Sequence, residues 1–94
     1  MSRYRVPEAD VVEFRGRAGE ALDALAGQTG FVRGHVGRNV DDPLLWTLST
    51  EWINVGAYRR ALSSYDVKTR AVPVMMYALD EPSAYEVLAR LPTD

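Results

Sequence analysis

The sequence predicts an α+β fold in which an antiparallel sheet carries helices on one face. Residues 8–26 show the apolar spacing of an amphipathic helix. Residues 31–53 have the composition of two strands joined by a turn, and a second helical pattern begins directly after them. The order of strand, helix, two strands, helix and strand is that of the ferredoxin-like split β-α-β arrangement, which we therefore expect here.

A proline separates the first strand from the first helix. Residues 3–6 form a short candidate strand that ends at Pro7, and proline is well suited to the first position of a helix. Within the helix, apolar residues recur three or four positions apart and make one stripe: Val11, Phe14, Ala18, Leu22 and Leu25. Gly27 and Gly30 are expected to end the helix and lead into the next strand.

The middle of the chain predicts a hairpin that continues into a helix. Residues 31–38 can be extended, Asp41-Asp42-Pro43 supplies turn chemistry, and residues 44–53 are rich in Leu, Thr, Trp and Ile. Asn54 is a favourable helix N-cap. Val55, Tyr58 and Leu62 then recur at helical spacing, which predicts an amphipathic second helix.

The last third of the sequence leaves alternatives open. Residues 63–72 fit a short helix or an irregular connection, and the apolar residues 73–79 fit a helix or a strand. Asp80-Glu81-Pro82 is expected to break either element. Residues 83–88 alternate weakly in polarity and predict a last strand.

Length and composition narrow the class of protein. The 94 residues predict a single domain over residues 1–94, and without cysteine there are no disulfides and no thiolate metal ligands. The net charge of -2 gives no reason to expect nucleic acid or an anionic membrane as a partner. No apolar run approaches the roughly 20 residues of a membrane span, and no signal peptide is evident, so we expect a cytoplasmic location. Nucleotide-binding, zinc-protease and nucleophile-elbow motifs are not found.

The second face of the sheet is expected to be covered as well. Around residues 44–48, both alternating sets of side chains are mostly apolar, whereas a solvated face should be polar at every second position. A second copy of the same sheet is the simplest cover for such a face. We therefore expect a homodimer formed through the sheet.

The chain resembles the antibiotic biosynthesis monooxygenase family of dimeric α+β barrels. The resemblance rests first on Phe14 followed by Gly30-Phe31, Gly34 and Arg38. It continues through Asp41-Asp42-Pro43, Trp46, Trp52 and Ala57-Tyr58. It implies oxidoreductase chemistry in an apolar cleft, namely oxygenation of a small aromatic or polycyclic phenol without metal, flavin or other cofactor.

The resemblance also implies site residues. Trp52 and Tyr58 match the Trp and Tyr that line the cleft of family members that oxygenate anthrones, while the family's Asn position is Leu48 here. We expect Trp52 and Tyr58 as catalytic candidates, with His35, the only histidine, as a further candidate base. The expected substrate-binding residues are Phe14, Leu48, Trp52, Tyr58 and Met75.

Each candidate has a structural alternative. Trp52 and Tyr58 can be core aromatics, His35 can be an ordinary strand residue, and Met75 can fill space. The corresponding functional alternative is a non-catalytic module of the same fold that binds a small ligand or mediates dimerisation. Haem degradation is disfavoured, because Ala61 and Ala71 occupy the positions at which haem-degrading members carry Trp and His.

Overall fold

The computed structural model describes residues 1–92 and confirms the predicted α+β, ferredoxin-like fold. Strand β1 is followed by a 3-10 helix, helix α1, strands β2 and β3, and helices α2 and α3. Their bounds are Ser2–Arg5 (β1), Glu8–Asp10 (3-10), Val11–Ala26 (α1), Phe31–Arg38 (β2), Leu45–Trp52 (β3), Val55–Leu62 (α2) and Tyr65–Met75 (α3). The strands form an antiparallel sheet in the order β1-β3-β2, with the helices on one face.

Helix α1 packs closely on the sheet because its buried stripe contains small residues. Phe14, Leu25 and three alanines of α1 are buried. Where the helix passes over β2, a Cβ atom added to Gly34 would lie 2.8 Å from Leu22 Cδ1 and 2.8 Å from the Ser49 carbonyl oxygen. Glycine is therefore required at this crossing, because any larger residue would separate helix and sheet.

The loop between β2 and β3 is held by side-chain hydrogen bonds, as the turn chemistry predicted. Asn39 Oδ1 accepts hydrogen bonds from the backbone N–H groups of Asp41 and Asp42, both at 2.8 Å. The Asp42 carboxylate accepts from Leu44 N–H at 3.1 Å and from Arg5 Nη1 at 2.9 Å. The Arg5 bond, followed by the Leu44 bond, lowers the pKa of Asp42.

Aromatic rings form the centre of the main core. The Phe14 ring lies 5.4 Å from Tyr4, 5.5 Å from Trp46 and 5.6 Å from Tyr77, measured between ring centroids. Trp46 is 4 % exposed and belongs to this buried core. The edge-to-face geometry of the Phe14–Trp46 and Phe14–Tyr77 pairs is the arrangement that aromatic quadrupoles favour.

The third helix and the chain after it settle the alternatives left open above. Helix α3 begins at Tyr65 and runs through Pro73 to Met75, so residues 65–72 and the start of the following apolar run are helical. The chain then returns to the free edge of β1, where Tyr77 O accepts from Arg5 N–H and Leu79 N–H donates to Arg3 O, both at 2.9 Å.

The predicted last strand over residues 83–88 is wrong, since this segment has no regular secondary structure. β1 is only four residues long, and residues 77–79 already occupy its outer edge. Pro82 follows and lacks the N–H that a continuing ladder would need.

The sheet face opposite the helices is more polar than predicted. The strand registers place on this open face Arg3, Arg5, Arg33, His35, Gly37, Leu45, Thr47, Ser49 and Glu51. Leu45 is the one large apolar side chain among them. The expectation of an apolar second face was wrong because Leu44 precedes β3, while Trp46 and Leu48 both face the helices.

Candidate functional site

A cleft of about 890 Å³ opens between the helix-covered face of the sheet, the helices and the C-terminal segment. Its walls come from β1, β3, all three α-helices and residues 78–90. This volume falls within the roughly 300–1,000 Å³ of typical small-molecule sites. The cleft is large enough to take a polycyclic aromatic ligand.

Three aromatic rings form one wall of the cleft or support it. Trp52 ends β3, and its ring lies 5.4 Å from Phe31 and 6.1 Å from Tyr58 between centroids. Asn54 caps α2 by accepting a hydrogen bond from Ala57 N–H at 2.8 Å, which confirms the predicted cap. Only Ile53 and Asn54 separate the end of β3 from the start of α2, and this short connection brings Tyr58 beside Trp52.

The polar atoms of this wall differ in whether they can form a hydrogen bond with a ligand. Trp52 Nε1–H donates to Thr50 Oγ1 at 2.9 Å, so the indole N–H already has an acceptor. The Tyr58 hydroxyl makes no hydrogen bond to any group in residues 1–92. Tyr58 is half-buried. Its phenol is therefore a polar group of this wall that is free to bind a ligand.

The floor of the cleft is apolar. Leu25 of α1 and Val67 of α3 are buried and pack with Ala24, and the half-buried Leu48 and Trp52 pack against this cluster. Val74 closes the cleft toward the main core. An aromatic ring system would bury apolar area against this floor, which favours binding by roughly 25 cal/mol per Å².

Strand β1 contributes two hydroxyl groups that the sequence did not single out. Ser2 and Tyr4 both line the cleft, and Tyr4 is 5 % exposed. Burial raises the pKa of Tyr4, the nearby Tyr58 raises it further, and a hydrogen-bonding contact with the Ser2 side chain lowers it in part. The sequence signal was the alternation of residues 2, 4 and 6 in the short first strand, which places Ser2 and Tyr4 on one face.

The C-terminal segment borders the cleft and is fastened by ionic contacts. Arg3 binds Glu81 through two bonds, at 2.7 Å and 3.0 Å, and Arg90 Nη2 lies 2.7 Å from Glu51 Oε1. The N-terminal ammonium donates to Ser83 O at 2.6 Å. The bond from Arg3 lowers the pKa of Glu81. These contacts join both ends of the described chain beside the cleft.

The structure brings together four of the residues predicted for the site. Leu48, Trp52, Tyr58 and Met75 all line the cleft. Phe14 does not, because its ring is 2 % exposed at the centre of the main core.

His35 also lies away from the cleft, which argues against its role as a base there. It pairs with Ser49 on the opposite face of the sheet. Within residues 1–92, no three His, Asp or Glu side chains are grouped so that they could hold a metal ion. In the same part of the chain, no helix is long and apolar enough to cross a membrane.

Comparisons with known proteins agree with this architecture. The sequence profile described as antibiotic biosynthesis monooxygenase matches residues 1–70. A mutant of SnoaB, a cofactor-independent oxygenase from Streptomyces nogalater, is similar with a TM-score of 0.85 and 25 % identity, over 98 % of this chain and 93 % of that chain. Another SnoaB structure gives a TM-score of 0.83 and 24 % identity, over 98 % of this chain and 93 % of that chain.

The fold is also shared by a more distant protein. A conserved protein from Methanosarcina mazei Go1 has a TM-score of 0.75 and 18 % identity, over 85 % of this chain and 79 % of that chain. At this identity the likeness concerns the fold alone. A comparison with curated proteins finds no significant match.

Proposed function

Because the chain belongs to the antibiotic biosynthesis monooxygenase family, we propose that it is a cofactor-independent monooxygenase acting on a small aromatic or polycyclic phenol. The observation that carries the proposal is the cleft of about 890 Å³ walled by Trp52 and Tyr58. The likeness to SnoaB, a cofactor-independent oxygenase, supports the reaction class.

The proposed reaction requires few catalytic groups from the protein. A deprotonated phenol or enol is electron-rich and can itself reduce O₂. In an anthrone-like substrate, a methylene carbon would become a carbonyl with one oxygen atom of O₂, and the second oxygen atom would leave as water. The protein then has to orient the ring system, assist loss of a proton and exclude water. The apolar floor and the Tyr58 phenol suit the first and last of these tasks.

The alternative is a ligand-binding module without catalytic activity. It is favoured by Leu48, which places an apolar side chain where family oxygenases of this type carry Asn, and by the position of His35 outside the cleft. The two functions predict the same ligand class. They differ in whether O₂ is consumed.

We propose that Tyr58 binds the ligand's oxygen and test this with Tyr58→Phe. The exchange removes only a hydroxyl that makes no hydrogen bond within residues 1–92, so the free energy of unfolding should change by less than about 1 kcal/mol. Affinity for 1-naphthol should fall about 3- to 10-fold, measured by quenching of tryptophan fluorescence. With 1,8-dihydroxyanthrone as substrate, O₂ uptake in an oxygen electrode should fall as well.

The matched control is Tyr65→Phe, since Tyr65 is 85 % exposed and does not line the cleft. Naphthol affinity and O₂ uptake should be unchanged in this variant. Binding by the parent without O₂ uptake above a protein-free control would favour the module. If the parent binds no aromatic probe, both functions are contradicted.

We further propose that the protein is a homodimer through the open face of its sheet. Although this face is polar, its arginines are neutralised within the chain: Arg3 pairs with Glu81, Arg5 with Asp42 and Arg33 with Glu51. Two copies related by a two-fold axis would therefore meet without unpaired arginines around Leu45 and Thr47.

A further inference from the structure

Strand β1 brings two hydroxyl groups, those of Ser2 and Tyr4, to the cleft beside the strand that carries Trp52. In the antiparallel register, Ser2 lies opposite Leu48 and Tyr4 lies opposite Trp46. Directly opposed residues have Cβ atoms about 4.5–5.5 Å apart, and alternate residues share one face. Ser2 and Tyr4 therefore stand beside Leu48, on the face that carries Trp52.

The Tyr4 ring is fixed by packing. The residue is 5 % exposed, and its ring lies 5.4 Å from Phe14 at an interplanar angle of 52°. Val6 and Trp46 belong to the same buried cluster. A side chain that is immobilised on folding loses little further entropy on binding, so its hydroxyl is a preorganised hydrogen-bonding group.

We propose that Tyr4 and Ser2 form the oxygen-binding end of the cleft, in which the Tyr4 hydroxyl donates a hydrogen bond to an oxygen atom of the aromatic ligand and Ser2 supports Tyr4. This inference rests on the proposed function and names the ligand chemistry more closely: a phenol or ketone oxygen on a fused aromatic ring system. Tyr58, across the cleft, would hold the same oxygen from the other side.

The protonation state of Tyr4 agrees with a donor role. A tyrosine hydroxyl is already protonated at neutral pH, and burial, which disfavours the phenolate, raises the pKa of Tyr4 further. A buried donor left without an acceptor is costly. The cleft should therefore discriminate against aromatic ligands that carry no oxygen, in the way that polar binding sites reject analogues lacking the matching group.

The experiment compares 1-naphthol with naphthalene, which differ by one hydroxyl. In the parent protein, 1-naphthol should bind about 5- to 10-fold more tightly than naphthalene, measured by quenching of tryptophan fluorescence. Tyr4→Phe should remove most of this difference, while its affinity for naphthalene stays within about twofold of the parent. Ser2→Ala should reduce naphthol affinity about two- to threefold in the same assay.

Tyr77→Phe is the matched control. Tyr77 contacts the same Phe14 ring, but its hydroxyl donates to Asp10 Oδ2 at 2.9 Å and it does not line the cleft. Both affinities should be unchanged in this variant. If Tyr4→Phe does not fold, Ser2→Ala becomes the test of the oxygen-binding end. This variant should fold, because Ser2 lies outside the buried core.

The outcomes separate this inference from the proposed function. Equal affinity of the parent for the two probes would overturn the oxygen-binding end and leave the aromatic cleft in place. A folded Tyr4→Phe protein that binds 1-naphthol as tightly as the parent would also overturn the oxygen-binding end. If Tyr4→Phe does not fold, the same result for Ser2→Ala would overturn it. If the parent binds neither probe, the proposed function and this inference both fall.

Discussion

Trp52 illustrates how one side chain can serve the core and the cleft together. It packs against the buried Leu25 and Val67, and its ring also contacts Phe31 and Tyr58. Its N–H is held by Thr50. The two interpretations of this residue, core aromatic or cleft wall, are therefore compatible, because one face of the ring can be packed while the other meets a ligand.

Gly30 joins α1 to β2 under conditions that only glycine meets. Its φ is 91°, and an added Cβ would lie 2.5 Å from Ala57 Cβ and 3.1 Å from Ile53 Cγ1. Gly30→Ala should therefore destabilise the protein by about 2 kcal/mol or more, because backbone strain in the left-handed region adds to overpacking against α2. Urea denaturation followed by circular dichroism measures the free energy of unfolding.

Gly16→Ala provides the opposite prediction with the same chemical change. Gly16 lies inside α1, and an added Cβ meets nothing within 4 Å. Alanine should stabilise the helix by about 0.5–1 kcal/mol, since glycine loses more backbone entropy on folding. A Gly30→Ala protein as stable as the parent would contradict the strained conformation described here.

At the scale of elements, dense local signals made the middle of the chain predictable. The hairpin and α2 agree with prediction within one residue, because the Asp-Asp-Pro turn and the Asn54 cap fix their boundaries locally. The first helix begins later than predicted, since residues 8–10 form a 3-10 turn before Val11. Tighter first turns of this kind are common at helix starts.

The features that the sequence predicted wrongly or did not reveal depend on contacts between distant parts of the chain. Whether residues 77–79 or 83–88 pair with β1 is decided by how far α3 extends, which the short apolar run did not reveal. The cleft hydroxyls of Ser2 and Tyr4 were overlooked for the same reason. Their neighbour Leu48 is 46 residues from Ser2 along the chain (48 − 2), and only the strand register joins them.

The C-terminal segment should lose part of its anchoring in acid. The hydrogen bond from Arg3 lowers the pKa of Glu81 in the folded protein, so this carboxylate stabilises the fold above its unfolded pKa of about 4.3 and ceases to do so as pH falls through its lower folded value. The melting temperature of Glu81→Gln should therefore lie below that of the parent at pH 7. The difference should shrink as pH falls below the unfolded pKa of about 4.3.

Glu20→Gln is the control for this titration. Glu20 lies 3.8 Å from Arg17 on the exposed surface of α1, a contact of the kind that contributes little to stability. The melting temperature of Glu20→Gln should equal that of the parent at pH 7 and at pH 3. A Glu81→Gln difference that persists undiminished at pH 3 would show that the effect does not come from the ionised carboxylate.

At the scale of the whole molecule, the sheet divides two kinds of surface. The helix-covered face holds the core and the cleft, while the open face presents paired charges around Leu45 and Thr47. Large apolar side chains are also exposed on the C-terminal segment, where Tyr85 is 70 % and Leu88 is 86 % exposed. The exposed apolar side chains of this segment support self-association, since such side chains favour burial against a partner.

A dimer through the open face makes a specific prediction for Leu45→Asp. At micromolar concentration, sedimentation equilibrium of the parent should give about 21 kDa, twice the 10.5 kDa of one chain. Leu45 is half-buried at the start of the central strand and faces the open side of the sheet, so an aspartate there would add a charge from each copy to the proposed interface and shift the protein to monomers. Val12→Asp, on an 86 % exposed position of α1, should stay dimeric. A parent mass near 10.5 kDa would refute the dimer, and a folded, dimeric Leu45→Asp protein would move the interface away from the sheet.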